Sequence, residues 1–171
     1  MNKKQLAVLA TCLLLFSLGL ATAADTGTIG LNVTIKQVAV DVTPTTYAFG
    51  TLDLSTLANT SDVSPNYFTA NNTGNVDEDF SIKGANMTDF AAGGSNTWVL
   101  NETEIGADQY MMLNSTDGGV TWNAIGLDFK TFATNIAAGN NQTFDLQLAT
   151  PSSTSSYLEH NTTVTVYAVA S

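Results

Sequence analysis

Apolar and polar residues alternate in Thr143-Phe144-Asp145-Leu146-Gln147-Leu148, which places one phenylalanine and two leucines on the same side of the chain. Successive side chains of a β-strand point to opposite faces, so a period of two predicts a strand with one buried face. The same alternation returns in residues 163–168, and a polar loop, residues 151–156, lies between the two stretches. This part of the chain therefore predicts two strands joined by a loop.

The rest of the chain favours strands as well. Turn residues recur at short intervals and no stripe of helical period is present, which is typical of a sandwich or barrel. We therefore predict an all-β fold, an antiparallel β-sandwich of jelly-roll or immunoglobulin-like type, in a single domain. Further strands are predicted at residues 47–53, 67–71, 79–83, 97–101, 109–113, 120–125 and 127–132.

The first strand pattern contains a change of phase. Apolar residues first occupy the odd positions and then the even positions, and a shift of one residue moves every side chain to the other face of a sheet. Lys36-Gln37 is therefore predicted to be a bulge or a break between two strands. The two apolar sets are Ile29, Leu31, Val33 and Ile35, followed by Val38, Val40 and Val42.

Residues 1–23 resemble a secretory signal peptide. Lys3 and Lys4 precede an apolar run at residues 6–20, and the small residues of Ala21-Thr22-Ala23 follow. The run is shorter than the roughly 20 residues of a membrane-spanning helix. We expect cleavage after Ala23, a β-sandwich domain at residues 24–171 and no membrane span after cleavage. The expected location is extracellular or at the cell surface, with the periplasm as the alternative.

Charge and cysteine content exclude several functions. The chain has 171 residues with 5 basic and 15 acidic side chains, no arginine, and a single cysteine, Cys12, inside the predicted signal. Loss of Lys3 and Lys4 with the signal makes the balance still more acidic. We predict no nucleic-acid binding, because such a chain repels phosphate. The domain after Ala23 can form no disulfide and no cysteine-ligated metal site.

Catalytic groups are scarce. His160 is the only histidine, so neither a zinc site of nitrogen ligands nor a convincing Ser–His–Asp triad is expected. The run Asp77-Glu78-Asp79 is a candidate for calcium binding; its alternative interpretation is a solvated turn. We predict that the protein is not an enzyme, with no catalytic residues, no metal and no cofactor.

A turn motif occurs at residues 115–122, Ser-Thr-Asp-Gly-Gly-Val-Thr-Trp. It resembles the Asp-box of sialidase-type propellers. In that resemblance the aspartate bonds backbone amides of the turn and the tryptophan packs beneath it. A sialidase needs an arginine cluster to hold a carboxylate, and this chain has no arginine. We interpret the motif as a structural turn formed by Ser115, Asp117, Gly119 and Trp122.

Eight Asn-Xaa-Ser/Thr triplets occur after Ala23, more than the composition predicts by chance. They are candidate N-glycosylation sites where the source cell has the machinery; the alternative is that Asn and Thr suit turns and strands. A separate candidate is a sugar-stacking platform of Trp98, Trp122, Phe68 and Tyr110, although aromatic residues in strands belong more often to the core. The triplets begin at Asn32, Asn59, Asn71, Asn86, Asn101, Asn114, Asn141 and Asn161.

Two segments resemble a known family. The first segment is residues 46–55, Thr-Tyr-Ala-Phe-Gly-Thr-Leu-Asp-Leu-Ser. The second is residues 68–76, Phe-Thr-Ala-Asn-Asn-Thr-Gly-Asn-Val, followed by Phe80-Ser81-Ile82. Both are similar to early strands of the TasA/camelysin family of secreted biofilm-matrix proteins and of the related archaeal bundling pilins. The resemblance implies a jelly-roll-like sandwich whose subunits polymerise by donating an N-terminal strand. The chain lacks a zinc-protease motif, so no protease activity is implied.

The expected function is therefore a secreted structural subunit of an extracellular filament, biofilm matrix or surface layer, with self-association into a polymer. The assembly strand is expected at Ile29, Leu31, Val33 and Ile35, since a strand with one apolar face near a chain end can complete the sheet of a neighbour. The alternatives are a secreted binding module or adhesin for a glycan or protein, and an enzyme with an acidic site.

Overall fold

A computed structural model describes residues 27–60, 68–89 and 96–171. The chain divides into two units, Met1–Thr34 and Ile35–Ser171. The predicted signal, residues 1–23, lies outside the described residues. Residues 27–34, the described part of the first unit, form neither helix nor strand. Across the described residues, no helix has the length and apolar character needed to cross a membrane.

All the strands of the described residues lie in the second unit. Buried and less buried positions alternate in the strands Phe68–Asn72 and Glu78–Lys83, as the period of two predicts. In the strand Asn141–Ala149 the successive residues 144–146 are all buried. In chain order they are β1 Val40–Thr43, β2 Leu57–Asn59, β3 Phe68–Asn72, β4 Glu78–Lys83, β5 Met87–Asp89, β6 Thr97–Leu100, β7 Gln109–Ser115, β8 Asn123–Ile125, β9 Lys130–Ile136, β10 Asn141–Ala149, β11 His160–Asn161 and β12 Thr165–Ala170.

These strands form two sheets. The nine-stranded sheet has the order β1-β3-β10-β7-β6-β5-β11, with β2 also paired to β10 and β8 to β7, and the three-stranded sheet has the order β12-β4-β9. The pairings between described strands are antiparallel except for the short parallel contact of β6 with β7. The predicted all-β fold of sandwich type is confirmed.

Both sheets contribute side chains to one hydrophobic core. Phe80 and Ile82 of β4 face inward from the three-stranded sheet, and Phe144 of β10 faces inward from the nine-stranded sheet. The Phe144 ring lies 5.4 Å from the Phe68 ring and 5.3 Å from that of Phe132, so aromatic contacts connect β3, β9 and β10. Full burial of an aromatic or aliphatic side chain stabilises by about 1.5–3 kcal/mol, which makes these residues the main source of cohesion between the sheets.

The predicted strand at residues 47–53 is wrong. Tyr47 and Phe49 do pack inward, with their rings 5.0 Å apart and the Tyr47 ring 6.0 Å from that of Phe68. The backbone cannot continue as a strand, because Gly50 adopts a φ of 75° and Ser55 a φ of 55°. Positive φ lies outside the extended region, so the apolar alternation here marks core contacts of an irregular loop.

Three other parts of the chain differ from the predicted strands. The predicted strands at residues 120–125 and 127–132 begin later, as β8 and β9, because the turn at residues 116–122 occupies the start of the first one. Strands β2, β5 and β11 were not predicted; each has two or three residues, too few for a period of two to be recognised. The strand predicted from the alternation of Ile29, Leu31, Val33 and Ile35 is absent, because residues 27–39, which also contain the predicted interruption at Lys36-Gln37, belong to no strand.

Candidate assembly segment and its root clamp

The predicted assembly strand is an exposed apolar row. The side chains of Ile29, Leu31, Val33 and Ile35 are 87%, 89%, 86% and 77% exposed. Large aliphatic side chains are usually buried, and a run of exposed ones marks an interaction site. Each would gain about 1.5–3 kcal/mol on full burial. The row therefore has the chemistry of a strand that still lacks a sheet to pack on.

At the end of the row, a set of hydrogen bonds fixes the backbone of residues 35–39. We call this set of hydrogen bonds the root clamp. Asn75 contributes most. Its backbone N–H donates to the Gln37 carbonyl at 3.0 Å, its Oδ1 accepts from the Gln37 N–H at 2.8 Å, and its Nδ2 donates to the Ile35 carbonyl at 2.8 Å. One asparagine thus makes three bonds to a stretch that belongs to no strand, in the way a neighbouring strand would.

The clamp continues at Ala39, next to the start of β1. The Thr73 N–H donates to the Ala39 carbonyl at 2.8 Å, and the Ala39 N–H donates to Oε1 of Glu78 at 2.8 Å. Glu78 is fully buried, and its other oxygen has no hydrogen-bond partner among the described residues. Loss of a buried hydrogen bond leaves its donor unsatisfied at a cost of about 1–3 kcal/mol, so Glu78 is the innermost anchor of the clamp.

Gly74 lets the two chains approach this closely. A Cβ at position 74 would lie 2.3 Å from the Gln37 carbonyl oxygen and 2.4 Å from Oε1 of Glu78. Only glycine leaves room for such an approach. The loop is held from behind by Asn72, whose Oδ1 accepts from the Gly74 N–H at 2.9 Å and whose Nδ2 donates to the carbonyls of Val76 and Ile136. These bonds connect the loop that carries the clamp to the rest of the second unit.

The turn at residues 115–122 has the hydrogen bonds of an Asp-type staple. Ser115 Oγ donates to Asp117 Oδ1 at 2.6 Å, and the same Oδ1 accepts from the N–H groups of Val120 and Thr121 at 3.1 and 2.8 Å. Gly119 donates to Ser115 Oγ at 2.9 Å and has a φ of 85°. The Ser115 hydroxyl and the Thr121 amide lower the pKa of Asp117 to about 2. Trp122 is half-buried beside the turn.

The structure does not bring the residues of the calcium-binding candidate together at one site. Glu78 points into the core, whereas Asp79 accepts from the Asn135 N–H at 2.8 Å and from the Ser171 hydroxyl at 2.6 Å. The described ranges contain no group of three or more His, Asp or Glu side chains that would hold a metal ion. His160 stacks on Trp98 with ring centroids 4.0 Å apart, and its Nδ1 lies 2.8 Å from the Leu158 carbonyl.

The candidate sugar platform is dispersed. Phe68 and Tyr110 are buried, and one face of the Trp98 ring is covered by His160. The indole N–H of Trp98 donates to Thr154 Oγ1 at 2.8 Å. The four aromatic side chains therefore do not form a common surface for stacking on a sugar.

The eight triplet asparagines differ in accessibility. Asn114 is buried, and Asn59, Asn71 and Asn101 are partly buried. The other four are exposed and present an amide to solvent; they are Asn32, Asn86, Asn141 and Asn161.

The root clamp was missed by the sequence reasoning. Its partners are about 40 residues apart, as in the contact of Asn75 with Ile35, and no local period records such a pairing. Comparison with known proteins gives no relative to guide the interpretation: no family model matches the chain, and neither a curated protein nor a solved structure matches it. The features that bear on function are therefore the all-β fold, the exposed apolar row and the clamp.

Proposed function

We propose that this protein is a secreted structural subunit of an extracellular filament, matrix or surface layer, and that copies join when residues 28–35 of one add a strand to a sheet of the next. The observation that carries the proposal is the row of four aliphatic side chains that are 77–89% exposed. Strand addition would satisfy the backbone of the segment by ladder bonds and bury its apolar face in the same step.

The dimensions suit strand addition. Eight extended residues span roughly 26 Å. The three-stranded sheet ends in β9 and β12, of seven and six residues. Such edges present unpaired N–H and C=O groups to an incoming strand. The root clamp supports the proposal as well, because a donated strand transmits load only if its base is fixed to its own subunit.

The proposal is tested by negative-stain electron microscopy of the secreted protein and of two variants that differ only in the face they alter. Leu31→Asp places a carboxylate on the apolar face, and burial of an unpaired charge is strongly unfavourable, so filaments should be lost. Thr28→Asp adds the same charge on the polar face and should leave the filaments intact.

Loss of filaments in both variants would point to net charge rather than to the apolar face. Filaments in both would refute strand donation. Monodisperse monomers of the unaltered protein across concentrations would overturn the structural role and favour a glycan- or protein-binding module, to be tested by ligand screening.

A further inference from the structure

The outer face of the three-stranded sheet differs from the rest of the surface. Phe80, Ile82 and Ala168 point into the core, so the alternate residues of β4 and β12 point outward. Tyr167 and Val169 of β12 are 53% and 42% exposed. The Tyr167 ring contacts the Phe129 ring at 5.3 Å between centroids. This face therefore exposes a cluster of large apolar side chains.

Charge is balanced on this face although the chain is strongly acidic. Lys83, one of three lysines after residue 23, lies with its Nζ 4.7 Å from the centre of the Phe129 ring. Asp79 lies at the other end of β4, where the Ser171 hydroxyl and the Asn135 N–H lower its pKa and keep it ionised. Two copies of an acidic protein repel each other over most of their surfaces, but here each presents one cation and one anion.

The candidate glycosylation sites avoid this face. The triplet asparagines of the second unit lie within or directly beside strands of the nine-stranded sheet: Asn59 in β2, Asn71 in β3, Asn86 before β5, Asn101 after β6, Asn114 in β7, Asn141 in β10 and Asn161 in β11. Strands β4, β9 and β12 contain none. A glycan attached at any of these asparagines would therefore be attached outside the strands of the three-stranded sheet.

The outward residues are arranged so that the face is complementary to itself. Ser81 is in register with Tyr167 on one side and with Thr131 on the other, and these three form a central row. Lys83 is in register with Thr165 on one side of this row, and Asp79 is in register with Val169 on the other. We consider a two-fold axis that lies in the contact plane and runs along the central row, perpendicular to the strands. Rotation about this axis places the Lys83 row of one copy over the Asp79 row of the other, so each Lys83 lies opposite an Asp79.

We infer that the outer face of the three-stranded sheet is a second contact surface, on which another copy of this chain packs face to face about a two-fold axis. Three strands of about six residues cover roughly 14 by 20 Å, or roughly 300 Å². Stable complexes bury about 800 Å² per partner. The contact is therefore too small to hold free monomers together, and it acts where many copies are already aligned in a polymer. It rests on the proposed self-association but not on strand donation.

The test is cross-linking of the full secreted protein by a short bis-maleimide, followed by denaturing electrophoresis. Ser81→Cys lies on the axis and should give covalent dimers. Ser152→Cys, an exposed serine outside the three-stranded sheet, is the matched control and should not. Lys83→Asp in the Ser81→Cys background should lower the dimer yield by roughly three- to tenfold, the range expected for two exposed ion pairs. Adding Asp79→Lys should restore the yield, and thermal unfolding checks that each variant is folded.

Electron microscopy of the same samples separates this inference from the proposed function. Filaments without Ser81→Cys dimers, or with equal dimers at position 152, would overturn the face-to-face contact and leave strand donation standing. Dimers without filaments would refute the filament role and also the inference that this small contact acts only between copies already aligned in a polymer. Absence of both would refute both. Failure of Asp79→Lys to restore the yield in folded protein would overturn the two-fold arrangement.

Discussion

Substitution of Gly74 by alanine tests whether the root clamp fixes residues 35–39. The new Cβ would meet the Gln37 carbonyl oxygen at 2.3 Å and Oε1 of Glu78 at 2.4 Å. The first of these atoms belongs to the backbone and cannot rotate away. Either the loop or residues 37–39 must move, and the hydrogen bonds from Asn75 to Gln37 and from Ala39 to Glu78 must lengthen or break.

The size of the effect follows from the contacts. Overpacking in a closely packed site destabilises by about 1–3 kcal/mol. For a domain of this size, 1 kcal/mol lowers the midpoint of thermal unfolding by about 4 °C, so Gly74→Ala should lower it by about 4–12 °C. Gly30→Ala is the matched control, because its Cβ would meet nothing within 4 Å. Its midpoint should stay within about 1 °C of the wild type.

Circular dichroism on heating measures the midpoint, and hydrogen exchange locates the change. The amides of Gln37 and Ala39 should exchange faster in Gly74→Ala, since the acceptors on Asn75 and Glu78 would be displaced. Wild-type exchange at these amides together with a wild-type midpoint would show that residues 35–39 are not held by the contacts described, and the clamp would have to be abandoned.

Three further substitutions test individual polar contacts. Asp117→Asn should weaken the turn. The folded state lowers the Asp117 pKa, so the wild-type carboxylate stabilises the protein above pH 3.8 and this contribution is lost as the pH falls through about 2. The substitution should remove this contribution, which is measured by following the midpoint of thermal unfolding as the pH is lowered. Burial raises the Tyr110 pKa to about 12, so the free energy of unfolding of the wild type should fall as the pH rises from 10.0 to about 12. Tyr110→Phe removes this titration and should make the fall smaller. Thr60→Val should destabilise by about 1–3 kcal/mol, since it leaves the Leu146 N–H and the Asp145 carboxylate without their buried partner.

Each of these has a result that contradicts it. The Asp117 prediction fails if Asp117→Asn retains the wild-type pH profile between 4 and 2. An alkaline transition of unchanged steepness in Tyr110→Phe would exclude that tyrosine as its source. A wild-type free energy of unfolding for Thr60→Val in urea would show that the hydroxyl contributes nothing at that position.

The sequence predicted the fold best where a strand had one buried face. Phe80 and Ile82 alternate with less buried residues in β4. The alternation of Phe144, Leu146 and Leu148 also located β10, although Asp145 and Ala149 on its other face are buried as well. Periodicity is informative there because burial imposes it. Tyr47 and Phe49 show the limit of the argument: they alternate and contact the core, but the positive φ of Gly50 belongs to a loop. Alternation reports which side chains meet the core and not whether the backbone is paired.

Charged residues were predicted less well. Glu78 lies between two aspartates and was interpreted as part of a solvated or calcium-binding turn, yet its side chain is fully buried. Glutamate is rarely buried unless its oxygens have partners. The partner, the Ala39 N–H, is 39 residues away, so no local pattern indicates it. The alternation of Ile29, Leu31 and Val33 is plain in the sequence, but these residues form no strand, because alternation alone does not supply the neighbouring strand with which a backbone must pair.

The root clamp holds the backbone of residues 35–39 and does not contact their side chains through these hydrogen bonds. Each of its bonds to residues 35–39 ends on a backbone atom: the carbonyls of Ile35, Gln37 and Ala39, and the N–H groups of Gln37 and Ala39. No side chain of the clamped stretch is needed for these bonds. Substitutions in residues 27–34 should therefore leave these bonds unchanged. If the proposed strand addition is right, the side chains of that segment could be varied to change its binding surface while its attachment to the second unit stays the same.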